Sequence, residues 1–329
     1  MSLASNVSNI SLNKAGRRLA VYLKRYATLA ALFVLLVYFS CASPYFLTVG
    51  NFLSIFTEWS ILGVLAVGFT FVVAAGEFDL SFGYLIALCS IAVALMLNAG
   101  LNIIIVILLT LAIGILVGLL NGFLVVGVGL PAFIATIGMG AIVQGTNYVF
   151  SGASPIPISY GILPDAYAFI GQGAFLGIPA IMLVFIPIAA LSIYLLTKTR
   201  IGRHLYAIGT NLSAAKKAGI NIKAGKVFAF VCTAISAAIV GILITSRSGS
   251  GQSIAGPEYL LDVFSAVFLG MSLFKQGEAN AEGSLVGAFF MVVLSNGLTL
   301  LNMPFYILKV FQGLVILMGI GIASSCQSE

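Results

Sequence analysis

Ten apolar runs divide this chain, at residues 27–43, 53–75, 80–97, 102–126, 131–151, 175–197, 226–246, 259–274, 284–301 and 305–323. A helix needs about 20 apolar residues to cross a hydrocarbon core of about 30 Å. The pattern therefore predicts an all-α integral membrane protein of about ten transmembrane helices, a single domain over residues 27–323 between a polar tail, 1–26, and a short one, 324–329. Two polar stretches interrupt it at length: a connection at 152–174, rich in Ser, Gly and Pro, and a basic stretch from Lys198 to Lys226.

Charge gives these elements an orientation. Lys14, Arg17, Arg18, Lys24 and Arg25 precede the first run, and the basic stretch holds Lys198, Arg200, Arg203, Lys216, Lys217, Lys223 and Lys226 with no Asp or Glu. Basic residues beside spans stay in the cytoplasm. Ten crossings place both clusters and the carboxyl terminus inside, and residues 152–174, whose only charge is Asp165, outside. A signal peptide ending among Ser40, Cys41, Ala42 and Ser43 is the competing reading of the first run; its length and the long leading tail favour a retained span. Five helices on either side of the outer connection admit a repeat, which with an odd number of helices is necessarily inverted. Gly76, Glu77 and Asp79 opening one segment and Gly256, Glu258 and Asp262 opening another are its only trace in the sequence.

Composition narrows the function. The 329 residues are 61% hydrophobic and 7% charged, with a mean hydropathy of +1.17, which leaves no room for a soluble catalytic domain. Twelve of the fifteen Lys and Arg lie in the two clusters, so the net charge of +6 reports membrane orientation rather than affinity for nucleic acid. Cys41, Cys89, Cys232 and Cys326 are far apart and His204 is the lone histidine, so neither a metal nor a disulfide is expected. No GxxxxGK[ST] phosphate loop is present, and ATP or another cofactor is not expected on this chain.

Three groups of residues carry candidate chemistry. Glu77 and Asp79 lie between glycines in Gly76–Gly83, together with Ser81; this is either a cytoplasmic turn between spans or a broken helix, since charges at membrane depth are normally buried in protein or face a cavity. Thr136, Gly140, Gln144, Asn147 and Ser151 recur at steps of four, four, three and four, a polar stripe that either lines a passage or bonds neighbouring helices. Asn296, Thr299 and Asn302 repeat it more weakly. In the basic stretch Asn211 can cap a short helix over Leu212 to Ala218 that Gly219 terminates in a left-handed conformation. Gly114, Gly118 and Gly122 form a smooth strip for close helix packing.

These residues resemble a known family. Gly202-Arg203-His204-Leu205-Tyr206-Ala207-Ile208-Gly209-Thr210-Asn211, then Ala214-Ala215 and Gly219-Ile220-Asn221, is similar to the cytoplasmic signature of ribose-type permeases, the membrane subunits of bacterial ABC sugar importers. Gly76 to Gly83 resembles the family's Gly-Gly-Ile-Asp-Leu-Ser-Val-Gly, and Asn121-Gly122 through Pro131, Phe133, Ile134, Ala135 and Thr136 and Ser246-Arg247 through Gly251-Gln252 and Gly256 resemble two of its connections. The resemblance implies an inner-membrane importer subunit for a sugar-like solute, paired with a second permease copy or paralogue, a cytoplasmic ATPase with two nucleotide sites and a periplasmic sugar-binding protein. It implies a coupling helix with Asn211, Ser213, Ala214, Ala215, Lys216 and Gly219, and a pathway near Asp79, Ser81, Phe133 and Thr136; Gln144, Asn147 and Asn296 join the pathway candidates from the stripes. The chain departs from the family at Ala75 and Glu77, where glycines are usual, and at Lys275-Gln276-Gly277-Glu278-Ala279-Asn280, where the family has a Gly-Gly-Arg-Gly run. An ion-coupled secondary transporter using Glu77 and Asp79, and a purely structural membrane subunit, are the rival readings.

Overall fold

The computed structural model describes residues 28–274 and 277–327, and their side chains except those of 305 and 318–327. The readings made for the tail 1–26 and for Lys275 and Gln276 lie outside the described residues. Thirteen helices follow in order among the described residues: α1 (Thr28–Ala42), α2 (Val49–Ala74), α3 (Ser81–Asn98), α4 (Ile103–Gly122), α5 (Ala132–Ser151), α6 (Asp165–Gln172), α7 (Ala180–Lys198), α8 (Arg200–Thr210), α9 (Leu212–Lys217), α10 (Ile222–Ser248), α11 (Pro257–Gly270), α12 (Ala281–Leu300) and α13 (Phe305–Gln327). Seven of them, α2, α3, α4 with its π-helical continuation Phe123–Val128, α5, α7, α10 and α12, are long and apolar enough to cross a membrane. The other three predicted runs fall on α1, α11 and α13, whose described apolar parts are shorter.

Side chains close the open ends of these helices. Thr48, Asn102, Asn221 and Asn280 each accept a hydrogen bond from a backbone N–H of the first turn of α2, α4, α10 and α12. The core is built on α2, α3, α10 and α12, whose residues are buried on most sides. On α4, α5 and α7 the reverse holds: Ile104, Leu108, Leu116, Ile134, Ile142, Leu183 and Leu191 are exposed. Apolar surface on this scale is unfavourable in water and calls for lipid or a partner chain.

Contacts fix how the helices run. α2 and α10 are antiparallel and cross where Gly68 meets Ser236 and Phe71 meets Phe228. A Cβ on Gly114, Gly118 or Gly122 would come within 2.9 Å of Ala238, Val231 or Val227, so the glycine strip lets the α4 backbone lie directly on α10. α3 lies parallel to α10, with Cys89 against Gly241 and Ser90 hydroxyl-bonded to Thr245 at 2.7 Å. It therefore begins beside the middle of α10. α11 in turn lies parallel to α2: Glu58 and Leu62 share a cavity with Tyr259 and Asp262, and the Phe69 and Phe264 rings are 4.9 Å apart.

Two connections differ from the expected loops. The 152–174 segment contains α6, whose Tyr167 is buried and donates its hydroxyl to the Ile242 carbonyl at 2.7 Å; burial pushes the Tyr167 phenol pKa up. Strand β1 (Ile156–Pro157) of this segment pairs antiparallel with β4 (Ser250–Gly251), and β2 (Ala174–Phe175) pairs with β3 (Ile178–Pro179), so α7 begins at Ala180 rather than 175. Similarly the basic stretch holds more than the short helix expected over Leu212 to Ala218: α8 runs eleven residues before it and buries Leu205 and Ile208. Its signal was Ile201, Leu205 and Ile208 at helical spacing behind the capping hydroxyl of Thr199.

Candidate functional site

Helix α2 ends at Ala74, and the backbone turns at Gly76, whose φ is +75°, before returning to begin α3 at Ser81. Asp79 lies in this break with no exposed surface. Its Oδ1 accepts hydrogen bonds from the Ser81 N–H at 2.8 Å and the Ser81 hydroxyl at 2.6 Å. The Ser81 Oγ accepts in turn from Asn121 Nδ2 of α4 at 2.7 Å, and that amide lies 3.5 Å from Asp79 Oδ2. The carboxylate thus caps the free end of α3, where the helix dipole favours negative charge, and is tied to a second helix. Glu77, two residues earlier, forms an ion pair with Lys226 near the start of α10.

Beyond Ser81 the α3 surface meets the polar stripe of α5. Gly140 sits over the Tyr84 ring, and further along Gln144 and Asn147 border a cavity of about 180 Å³ with Tyr84, Tyr148, Ser253 and Pro257. Asn147 is buried and donates Nδ2 to the Ser253 carbonyl at 2.7 Å; Gln144 donates Nε2 to the Tyr148 hydroxyl at 3.0 Å. The second break, between α10 and α11, supplies Ser253. It comes back to Gly83 of α3, where Gly256 adopts a φ of +138° against the Gly83 carbonyl.

The predicted pathway residues do not all converge. Ser81, Gln144 and Asn147 follow one another along the α3–α5 contact, and Asp79 stands beside Ser81 in the break before α3. Thr136 is buried, but its hydroxyl donates to Ala132 O of its own helix at 2.8 Å, and Phe133 is 58% exposed on the outside of α5. Asn296 is elsewhere: its amide pairs reciprocally with Asn51 of α2, at 2.8 and 3.1 Å, beside a separate cavity of about 270 Å³ lined by Glu58, Tyr259 and Asp262. Asn121, Ser253 and Tyr84 complete the arrangement. The sequence named Asn121 only as the start of a segment resembling a family connection, with no role, and did not single out Ser253 or Tyr84.

The residues expected to couple to a partner form a surface of their own. Asn211 caps α9, accepting from the Ala214 N–H at 2.9 Å; Ala215 is buried beneath it, while Ser213, Ala214, Lys216 and Gly219 are exposed. The helix ends in a paired motif in which the Ile220 N–H reaches Ala215 O and the Gly219 N–H reaches Lys216 O, both at 3.1 Å, with Gly219 at φ +75°. α8 connects this surface to the core, since a Cβ on Gly209 would lie 2.3 Å from Ala74 O, at the turn that leads to Asp79. Among the described residues no group of three or more His, Cys, Asp or Glu could hold a metal ion.

Comparison with known proteins supplies a context for this geometry. A family profile described as "Branched-chain amino acid transport system / permease component" matches residues 51–319. Ribose import permease protein RbsC of Haemophilus influenzae is 36% identical over 290 residues, covering 88% of this chain and 90% of the relative. The protein of the same name from Escherichia coli K12 is 32% identical over 308 residues, 93% and 96% of the two chains, and that of Bacillus subtilis 34% over 292 residues, 88% and 89%. No solved structure matches the chain.

Proposed function

The chain belongs to the family of branched-chain amino acid transport system permease components, and from that premise we propose that it is the membrane subunit of an ABC importer that carries a sugar-like neutral solute across the bacterial inner membrane. It works beside a second permease, a cytoplasmic ATPase with two nucleotide sites and a periplasmic binding protein, and ATP is hydrolysed on the partner. The similarity to ribose import permeases over about nine-tenths of both chains supports the solute class. Ten crossings with both termini inside keep α8 and α9 in the cytoplasm. The halves before and after the outer connection form an inverted repeat, a reading supported by α2 and α10 running antiparallel, each followed by a break and by a helix that lies along the other.

One observation carries the mechanism: α9 is exposed, α8 beneath it touches the α2 turn through Gly209, and that turn leads directly to the Asp79–Ser81–Asn121 network. ATP binding in the partner moves α9, and the displacement passes through α8 to the break at the start of α3. The bundle alternates between states of access, with docking free energy setting their populations. Glu77 is engaged by Lys226 and both Asp79 oxygens face donors, so an ion-coupled mechanism draws no support from these carboxylates.

Affinity purification of the chain from its native membranes in mild detergent tests this reading. An ATPase subunit is expected to remain bound, and exchanging Lys216 and Lys217 for Glu is expected to release it. A chain that purifies alone and transports in liposomes under an ion gradient without ATP would refute the proposal.

A further inference from the structure

The cavity between α3, α5 and residues 253–257 has about 180 Å³ of space, against the roughly 10–15 Å³ that admits one water. None of the residues lining it is charged. Asn147 is 1% exposed and Ser253 is 2% exposed, yet Asn147 Oδ1 and Ser253 Oγ have no hydrogen-bond partner. Buried polar atoms are nearly always paired, so two orphans bordering one cavity point to a ligand. Asn147 cannot easily turn to relieve its oxygen, because its Nδ2 is held by the Ser253 carbonyl.

The remaining wall fits the same ligand. The Tyr148 hydroxyl accepts from Gln144 Nε2 and keeps its proton to donate. The Tyr84 ring is wedged over Gly140, where a Cβ would lie 2.7 Å from its Cδ2, and presents a fixed apolar surface. Pro257 opens α11, which no side chain caps. An ionic solute would meet no countercharge here, and burying it would be costly. A molecule with several hydroxyls and an apolar C–H face meets an acceptor, a hydroxyl, a donor and an aromatic ring.

We propose that this cavity is a binding subsite for a neutral polyhydroxylated solute, held by Asn147 Oδ1, the Ser253 and Tyr148 hydroxyls and the face of Tyr84. The inference rests on the importer reading and adds to it a place where the permease itself holds the solute. Because one wall is the α10–α11 break and the other is α5, an occupied site bridges the two halves of the chain.

The test uses the complete transporter in proteoliposomes carrying S253C, with labelling by a small neutral methanethiosulfonate counted as the excess over the unsubstituted transporter. D-ribose, D-allose and D-galactose are the probes, L-leucine is the control, and uptake of each is measured in the same vesicles. An imported sugar at about ten times its half-saturating concentration is expected to slow labelling about tenfold, and leucine to leave it unchanged. Labelling indifferent to a sugar that is imported overturns the subsite while leaving the importer reading intact, and so does a thiol that no reagent reaches. Import of leucine and of no sugar overturns both. If S253C does not assemble, Gln144→Glu decides: uptake reduced about tenfold or more supports a neutral-solute site, and unchanged uptake overturns it.

Discussion

A single hydroxyl joins two helices at the α2–α3 break. Ser81 Oγ donates to Asp79 and accepts from Asn121, so it pairs with a buried carboxylate and with the Nδ2 of a buried amide at once. Asp79 and Asn121 have no exposed surface, so Ser81→Ala leaves each one partner short, an expected loss of about 1–3 kcal/mol in the thermal or denaturant stability of the purified chain. Adding Asn121→Leu removes one of the stranded groups, so the double variant is expected to lose less than the sum of the two single ones. Additive losses would mean that the three side chains do not act as a unit. The sequence brought Asp79 and Ser81 together by proximity and left open whether they lay in a turn or a break; Asn121, about forty positions away, could be joined to them only by the fold.

At the scale of elements, α8 and α9 show what local pattern reveals. The cap at Asn211, the short helix and the left-handed Gly219 are all encoded within nine residues, and all are observed. α8 escaped the same reading because its arginines and glycines interrupt the apolar residues and it sits inside a basic stretch, yet it is the element that reaches the core. Gly209 is its contact, with a Cβ position 2.3 Å from Ala74 O and Gly76 close by. Gly209→Ala is expected to push α8 off the end of α2 and lower sugar uptake per ATP hydrolysed by roughly 2- to 30-fold, while the assembled complex still hydrolyses ATP. Equal uptake per ATP would separate α8 from coupling. Gly219 has open space around it, so there a side chain acts through backbone strain at positive φ rather than through a clash.

At the scale of the whole molecule, the apolar runs placed nearly every long helix, because each must satisfy its own backbone along its length. They could not show that α3 and α11 begin inside the bundle, since a break of a few residues leaves the hydropathy of its neighbours unchanged. The contact between those two starting points is one of several that join the halves: Gly256 is at φ +138°, and a Cβ there would lie 2.0 Å from the Gly83 carbonyl. Gly256→Ala therefore combines a disfavoured backbone with a collision against backbone that cannot move without displacing α3. Gly100→Ala is the matched control, positive in φ at +80° but with nothing within 4 Å, and carries the conformational cost alone. Size-exclusion profiles of detergent-extracted protein should show the monodisperse peak lost for the first and kept for the second. If the two variants behave alike, the halves do not depend on this crossing, and their packing rests on the α4–α10 glycine strip and the α3–α10 contacts at Cys89 and Ser90 instead.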